Sequence, residues 1–475
     1  MCGERSPALP DGGAELSRLL GAFRVDSLGD GDSVAGINQL ASMAIALADL
    51  ARPGSGIVTP QQRRLKIGCS ILAAGPGTAS GILDEVLPPV RKCQDNLLAQ
   101  LNRLIKNDKE EESRTNGRRW VLNVNPRPCA GETALFDITT GDPELGPLFG
   151  TRADQWVEVV ASYPTEGMAD LASRSRVFIA AATPRLLEQQ LPEAHLGSPL
   201  VAASLNHAPD ASKFATLCPA LMDGLIPAGP SGETVTGRLI VTDARGLLRE
   251  VATSGDDKTA WLGRLLWLVE GGAGPVPPPE CDSAVGIANL VPRFELAVQR
   301  AFAGRLDNHK PAPVLYKHDL AKIQSRWMRF LSDVEKSCPG ITLVARRLPA
   351  TLTYGLRRLV TADGIPEGFR YTNEGVEALA RLLVQRMANH RAALLFSAAD
   401  GRRQEDKLRI FNKLAEGAAD TRSIYHPLHL PADYCRELLH ELASENFVER
   451  NGRLWSCVEG REVTAGSSHR LQLDV

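Results

Sequence analysis

A glycine-rich stretch, Gly75 to Gly81, has the residue types and the setting of a phosphate-binding turn. It follows an apolar run from Ile67 to Leu72, which predicts a buried strand, and it precedes a helix predicted to begin at Ile82. In such a turn the backbone N–H groups and the dipole of the following helix converge on one anion. The predicted nucleotide or phosphate ligands are Gly75, Gly77, Thr78, Ser80 and Gly81.

The same stretch lacks the residues that would drive hydrolysis. The hydrolytic motif reads G-x-x-x-x-G-K-[ST], in which Lys reaches the terminal phosphates and the hydroxyl binds Mg²⁺. Counted from Gly75, its last three positions hold Ser80, Gly81 and Ile82. ATP and Mg²⁺ are the cofactors that the pattern would allow, although the sequence establishes neither. We expect weak or absent hydrolysis, and enzymatic activity stays open.

A weak catalytic candidate is Asp243, which follows the apolar run Leu239 to Val241. A strand that ends in Asp is typical of a Walker B element, where the carboxylate binds Mg²⁺ and a following Glu activates water. Ala244 stands at the position of that Glu. The alternative is a strand end at which Asp243 caps the next turn.

Arginines beyond residue 300 form a third candidate site. Between Arg300 and Lys413 the sequence has 21 Lys and Arg against 11 Asp and Glu, although the whole chain has a net charge of −2. Such asymmetry is typical of a protein that docks a polyanion, and equally of amphipathic helices with Arg-rich solvent faces. Two arginine pairs lie about three helical turns apart, which would place members of both on one side of a single helix. The predicted nucleic-acid ligands here are Arg326, Arg329, Arg346, Arg347, Arg357 and Arg358.

The stretch from Glu405 to Glu459 predicts three helices and a hairpin, which is a winged helix. The hairpin turn is assigned to Asn451-Gly452, because Asn-Gly between two strands with alternating apolar residues indicates a type I′ turn. In a winged helix the third helix normally enters the major groove. Here that helix carries an acidic face predicted to repel DNA, made of Asp433, Glu437, Glu441 and Glu445. Arg450 and Arg453 on the wing are predicted to contact a nucleic-acid backbone; protein contact or simple capping is the alternative.

At 475 residues the chain is too long for one core, and its length predicts about two to four domains. Composition divides it into a partly ordered lead-in (1–32), a P-loop-like α/β domain (33–275), a helical basic domain (276–400) and the winged helix with its tail (401–475). The fold class is therefore α/β, with a parallel-sheet core of P-loop type followed by a helical region and a C-terminal winged helix.

Other features argue against membrane and metal chemistry. No apolar run approaches the ~18 residues needed to span a bilayer, and the first residues lack a signal sequence, so we expect a cytoplasmic protein. Nine Cys without a C-x-x-C pair predict reduced thiols and no metal site. His426, His429 and His440 also lack partners at metal spacing. Trp261 and Trp267 lie among leucines and are predicted to be core residues.

The order of these elements along the chain resembles that of the YfjI-like family. Its members are P-loop proteins of phages and mobile elements and are usually described as primase- or helicase-like. The resemblance covers roughly Asp32 to Ala399. It rests on the loop Gly75 to Gly81, the strand leading through Thr183-Pro184 into a helix, the strand ending at Asp243 and the helical section with Arg346-Arg347. It implies ATP binding through Lys and Ser/Thr of the loop, and this chain departs from the family at both residues.

Three functional hypotheses follow. The first is a nucleic-acid-binding, helicase- or primase-like subunit of a phage, mobile-element or phage-defence complex, with a degenerate Walker A loop and DNA or RNA as partner. The second is an active NTPase that completes its site from elsewhere, for example with Lys66 or with Arg from a neighbouring subunit. The third is a scaffold subunit that contacts other proteins and no nucleic acid.

Overall fold

The computed structural model describes part of the chain, and the structural statements below concern that part. The described residues are 13–25, 33–51, 56–58, 64–110, 118–123, 158–163, 178–181, 184–190, 200–204, 217, 220, 226–228, 233–235, 237–242, 263–270, 287, 290–306, 314–315, 320–337, 342–362, 369, 372–445, 447–458, 463–465 and 471–473. The chain divides into two compact units, Met1–His390 and Arg391–Val475. The domain boundaries expected near residues 32, 275 and 400 stay predictions.

Helices and short strands alternate along the chain. The strands are β1 Gly56–Val58, β2 Arg64–Lys66, β3 Ser70–Ala73, β4 Arg118–Asn123, β5 Glu158–Tyr163, β6 Phe178–Ala181, β7 Leu200–Ser204, β8 Ile226–Ala228, β9 Glu233–Val235, β10 Arg238–Thr242, β11 Leu265–Leu268, β12 Val314–Leu315, β13 Ala419–Asp420, β14 Val448–Asn451, β15 Leu454–Cys457, β16 Val463–Ala465 and β17 Leu471–Leu473. The helices are α1 Gly13–Ala22, α2 Ser33–Asp49, α3 Pro76–Gly81, α4 Leu87–Glu110, α5 Pro184–Gln190, α6 Leu290–Leu306, α7 Leu320–Ser337, α8 Thr342–Ala345, α9 Leu348–Thr361, α10 Asn373–Ala415, α11 Thr421–Leu428 and α12 Ala432–Ser444.

Five parallel strands form the central sheet of the first unit, in the order β11-β3-β10-β7-β6. Ile71 of β3 pairs with Ile240 of β10 on one side and with Leu266 of β11 on the other. All three side chains are fully buried, as expected for a parallel sheet that is covered on both faces. The predicted α/β class with a parallel sheet is confirmed in this coarse form.

The edge strand β6 is closed by a side chain. Gln94 on α4 donates from Nε2 to the Phe178 carbonyl and accepts from the Phe178 N–H at Oε1, both at 2.6 Å. Its amide thereby supplies the donor and the acceptor that a neighbouring strand would offer. The side chain of Gln94 therefore satisfies the outer backbone groups of the first residue of β6.

Helices α2 and α9 pack with their backbones in direct contact. Both are buried on nearly every side, as expected of helices that lie within a core. A Cβ atom built on Gly355 of α9 would collide with the Ala44 carbonyl of α2. Glycine is therefore needed at this crossing because no side chain fits between the two helices.

The helix after β3 begins earlier than the sequence predicted. Its first residue is Pro76, with Gly75 as the extended N-cap, and the run continues through a π segment, Ile82–Val86, into α4. Proline suits the first position of a helix because its missing N–H would have no helical partner there. The residues from Pro76 to Gly81 are therefore helical, and the prediction of a seven-residue turn before Ile82 is wrong.

A buried polar cluster lies at the amino ends of β3 and β10. Asp49 accepts from the Cys69 N–H at 3.0 Å and lies 3.6 Å from Arg238 Nε. Gly68 has a φ of +99°, and a Cβ there would lie 2.6 Å from Arg238 Nε. Burial, followed by the charge of Asp49, raises the pKa of the Cys69 thiol, which is therefore protonated and unreactive.

The second unit contains a small module of three helices and three strands. The end of α10, α11 and α12 enclose a core with Ile410, Leu438 and Trp455, and the strands pair in the order β13-β15-β14. Asn451 pairs with Leu454, so the turn residues are Gly452 and Arg453. Gly452 has a φ of +65°. Glycine at the first central position is typical of a type II′ turn, so the predicted type I′ turn at Asn451-Gly452 is wrong by one residue.

Candidate functional site

Three neighbouring strands of the central sheet bring polar residues to its carboxyl edge. Gly75 follows β3, Thr242 ends β10 and Glu270 lies two residues beyond β11. Because Val241 pairs with Leu72, Thr242 comes level with the strand end that leads to Gly75. Ligands of open parallel sheets bind beyond this edge, where the loops diverge. This edge is therefore the candidate site.

The carboxylate of Glu270 lies over the start of the helix. The Thr78 backbone N–H donates to Glu270 Oε1. A Cβ on Gly75 would collide with the same carboxylate, and a Cβ on Gly77 would lie 3.1 Å from its Oε1. A negative charge is favoured at a helix N-terminus, and here the chain supplies that charge itself.

Asn38 on α2 holds the first helical turn against β11. Its Nδ2 donates to Thr78 Oγ1 at 2.9 Å and to the Val269 carbonyl at 3.0 Å. Asn38 and Thr242 are both buried, and within the described structure Asn38 Oδ1 and Thr242 Oγ1 have no hydrogen-bond partner. Buried polar atoms are normally paired, so two unpaired atoms mark this edge as a place with unused hydrogen-bonding capacity.

The structure brings together only some of the predicted phosphate ligands. Gly75 and Gly77 lie beneath the Glu270 carboxylate, and the buried Thr78 hydroxyl accepts from Asn38. Ser80 and Gly81 lie further along the helix, Ser80 on an exposed position. Phosphate binding by these residues stays a prediction. Asp243 and Trp261 lie outside the described residues, whereas Trp267 is buried and its predicted core position is confirmed.

The two arginine pairs do not share one helix. Arg346 and Arg347 form the turn between α8 and α9, which begins at Leu348 with Arg347 as its N-cap, so the interruption expected at Pro349 falls at this turn. Arg346 is exposed, whereas Arg357 is 5% exposed. Arg358 donates to the Tyr354 hydroxyl at 2.9 Å and stacks on its ring at 5.1 Å. Nucleic-acid contact by these residues stays a prediction, and for Arg357 it would require the side chain to leave the core.

The remaining arginines of this region differ in their partners. Arg326 on α7 is bound to Glu377 of α10 at 3.0 Å, and Arg329 is exposed one turn further along α7. Burial and the nearby charge of Arg238 lower the pKa of Arg347. Arg347 therefore belongs to the buried cluster at the amino edge of the sheet.

The glutamates of α12 are paired with cations inside the module. Arg403 of α10 bonds Glu437 at 2.6 Å and also bonds Glu441, while Lys407 bonds Glu445 at 2.6 Å. Hydrogen bonding to Arg403 is the main cause that lowers the pKa of Glu441, and it raises the pKa of Arg403. Arg403 and Lys407 therefore partly neutralise the predicted acidic face, whose glutamates stay 34–60% exposed, while Asp433 is 91% exposed. Repulsion of DNA by this face stays a prediction.

A different set of side chains lies toward the hairpin. His440 on α12 contacts the Trp455 ring edge-on at 5.4 Å, and Arg450 lies over the same ring at 5.5 Å. Arg453 is exposed in the turn, and Arg436, one turn before His440, pairs with the exposed Asp433 at 2.7 Å. Through the Trp455 ring, these contacts place Arg450 beside His440 of α12, and Arg453 follows in the turn.

Sequence reasoning missed Glu270, Asn38 and Thr242. Glu270 stands between an apolar strand and a run of glycines, and a lone acid there carries no recognisable motif. Asn38 lies beside Gln39 within a largely apolar helix, and nothing in the sequence distinguishes the role of one amide from that of the other.

Comparison with known proteins gives no identification, since no family model, no curated protein and no solved structure matches the chain. Among the described helices, none combines the length and apolar character needed to cross a membrane. Within the same residues, no group of three His, Cys, Asp or Glu side chains is arranged to hold a metal ion.

Proposed function

We propose that the protein is a nucleic-acid-binding subunit of a helicase- or primase-like kind, belonging to a phage, mobile-element or phage-defence complex. Its nucleotide site has little or no hydrolytic activity, and its partners are DNA or RNA together with other protein subunits in the cytoplasm. We propose membership of the YfjI-like family together with this function. The observation that carries it is the module formed by the end of α10, α11, α12 and the β14–β15 hairpin.

The order of elements in this module is that expected of a winged helix. Pairing of Glu437, Glu441 and Glu445 with Arg403 and Lys407 favours nucleic-acid contact, because two cations offset part of the charge with which three carboxylates would repel a phosphate backbone. Arg450 and Arg453 then offer guanidinium groups on the hairpin. Arginine forks suit phosphate oxygens, so backbone contact is the expected mode of binding.

The central sheet supports the claim that the nucleotide site has little or no hydrolytic activity. A parallel strand leads through Ala74 and Gly75 into a helix, although no loop separates the two as in a P-loop, and the strand ending at Thr242 lies beside it. The positions of the catalytic Lys and hydroxyl hold Gly81 and Ile82, and an acid rather than a cation faces the first helical turn. Hydrolysis needs positive charge at the developing negative charge of the transition state, so slow or absent turnover is expected.

The proposal is tested by binding of labelled duplex and single-stranded oligonucleotides at several salt concentrations. Affinity should fall steeply with salt, and the double substitution Arg450→Ala, Arg453→Ala should weaken binding and reduce the salt slope by about two. The matched control is Arg409→Ala, Lys413→Ala, which removes the same charge from exposed ion pairs of the same module. Equal losses in both variants, or no binding by the unmodified protein, would contradict the proposed interface.

An ATPase assay on the same preparations separates the alternatives. Turnover of ATP that disappears in Asp243→Ala would support the active NTPase hypothesis, because Asp243 is its only proposed Mg²⁺ ligand. Absence of both turnover and oligonucleotide binding would leave the scaffold hypothesis. Binding without turnover is the result that the proposal expects.

A further inference from the structure

The helical run 76–110 begins beneath the carboxylate of Glu270, which lies two residues beyond β11. Gly75 and Gly77 have no side chains, and the space above them, which a phosphate needs for close approach, contains the carboxylate of Glu270. Gly75 has an extended φ of −167°, so its backbone conformation does not require glycine. The contact with Glu270 is what excludes a larger residue at this position.

One hydrogen-bond donor at the carboxyl edge of the described sheet stays unused while Glu270 occupies the helix start. Thr78 N–H donates to the carboxylate, and the buried Thr242 hydroxyl has no partner among the described residues although it ends the adjacent strand. The amide of Asn38, fully buried, lies against Thr78, and its unpaired oxygen is an acceptor that offers nothing to an anion. A carboxylate offers two acceptor oxygens and a phosphate three or more, so the larger anion has an acceptor for a donor such as the Thr242 hydroxyl.

We propose that Glu270 is a built-in anion that keeps this helix start closed to phosphate groups, and that phosphate binds there once Glu270 is displaced or neutralised. This inference rests on the proposed nucleotide site and names Glu270 as the residue that controls phosphate access to it. The phosphate could belong to a nucleotide or to a nucleic-acid backbone. In both cases like charges would oppose binding while the carboxylate stays in place, since two anions would compete for one set of N–H donors.

The test is calorimetric titration of the full chain with inorganic phosphate, with ATP and with a short single-stranded oligonucleotide. Unmodified protein should bind phosphate and ATP weakly, Glu270→Gln about tenfold more tightly and Glu270→Ala more tightly still, because Gln removes the charge and Ala also removes the bulk. Glu295→Gln, on α6, is the control and should leave phosphate binding unchanged. A gain confined to ATP and phosphate identifies a nucleotide site, and a gain that includes the oligonucleotide identifies a nucleic-acid phosphate site.

Equal affinity in all variants, or no binding in any of them, would overturn the role of Glu270. A second measurement, of thermal stability, tests whether Glu270 lies over Gly75 even if phosphate binding is weak. Gly75→Ala should lower the thermal midpoint clearly in the unmodified background and much less in the Glu270→Ala background, because the colliding carboxylate is then gone. Equal losses in the two backgrounds would show that Glu270 does not lie over Gly75.

Failure of this inference is distinguishable from failure of the proposed function. Oligonucleotide retention that depends on Arg450 and Arg453 can persist while Glu270 variants gain no phosphate binding, which would overturn the role of Glu270 alone. The reverse result, phosphate gain with no salt-dependent retention of oligonucleotide, would overturn the proposed function and leave Glu270 as the closing group.

Discussion

The ammonium of Lys407 lies almost fully buried between two carboxylates of α12, 3.1 Å from Glu441 Oε2 and 2.6 Å from Glu445 Oε1. Arg403 and Lys407 are four residues apart on α10, and Glu437, Glu441 and Glu445 follow the same spacing on α12. Residues with this spacing form one stripe on a helix, so the two stripes face each other along the helix pair. This pairing fixes the rotation of α12 and leaves Arg436 and His440 on its exposed part.

Replacing Lys407 by Met should destabilise the C-terminal module. The methionine keeps most of the volume but leaves two glutamates without their cation, and because those glutamates are partly exposed the loss should be about 1–2 kcal/mol rather than the larger cost of a fully buried pair. Hydrogen exchange of the α12 amides in the full chain measures the loss. Lys413→Met, which breaks an exposed pair with Glu416, should change exchange little; a similar effect of both substitutions would contradict the importance of burial.

Acid should weaken the same contact between the helices. Because Arg403 and then Lys407 lower the pKa of Glu441 in the folded module, its contribution to stability is complete above the ordinary carboxyl pKa of about 4.3 and is lost as the pH falls through the lowered value. Glu441→Gln should therefore cost stability at neutral pH and progressively less in acid, as measured by urea midpoints across that range. Glu449→Gln, on the exposed strand β14, is the control. A cost of Glu441→Gln that does not shrink in acid would contradict this assignment.

Glycine positions give a third prediction, on the core of the first unit. Gly355→Ala places a methyl group against the backbone of α2 at Ala44, where neither helix can yield without separating, and should cost about 3 kcal/mol or more. Gly81→Ala is the matched control, since Gly81 is helical and has open space around its Cβ position. That substitution should stabilise the protein by about 0.5–1 kcal/mol. Thermal denaturation of both variants is the measurement, and a harmless Gly355→Ala would show that α2 and α9 do not meet at these residues.

The sequence allowed three strands of the sheet, β3, β6 and β10, to be recognised, but not β7 or the contacts that define the carboxyl edge. Apolar runs such as the one ending at Leu72 have the period and length of buried strands, so local pattern suffices for them. Glu270 contacts Thr78 across a separation of 192 residues, and no local pattern encodes such a meeting. For α12, spacing showed that three glutamates form a stripe, but the direction in which the stripe points depends on Arg403 and Lys407 of another helix.

The arginines that were predicted to bind nucleic acid differ in their exposure to solvent. Arg346 is exposed in a turn, and Arg357 is buried on α9, although their sequence context looks alike. We expect Arg346→Ala to weaken oligonucleotide binding at low salt by about threefold to tenfold, because one phosphate contact and its released counterion are lost. Arg357→Met should leave the salt slope unchanged and instead lower the thermal midpoint, since it alters a packed position. Binding measured against salt, with the midpoint of each variant, distinguishes the two effects, and a reduced slope in Arg357→Met would show that its guanidinium reaches the nucleic acid.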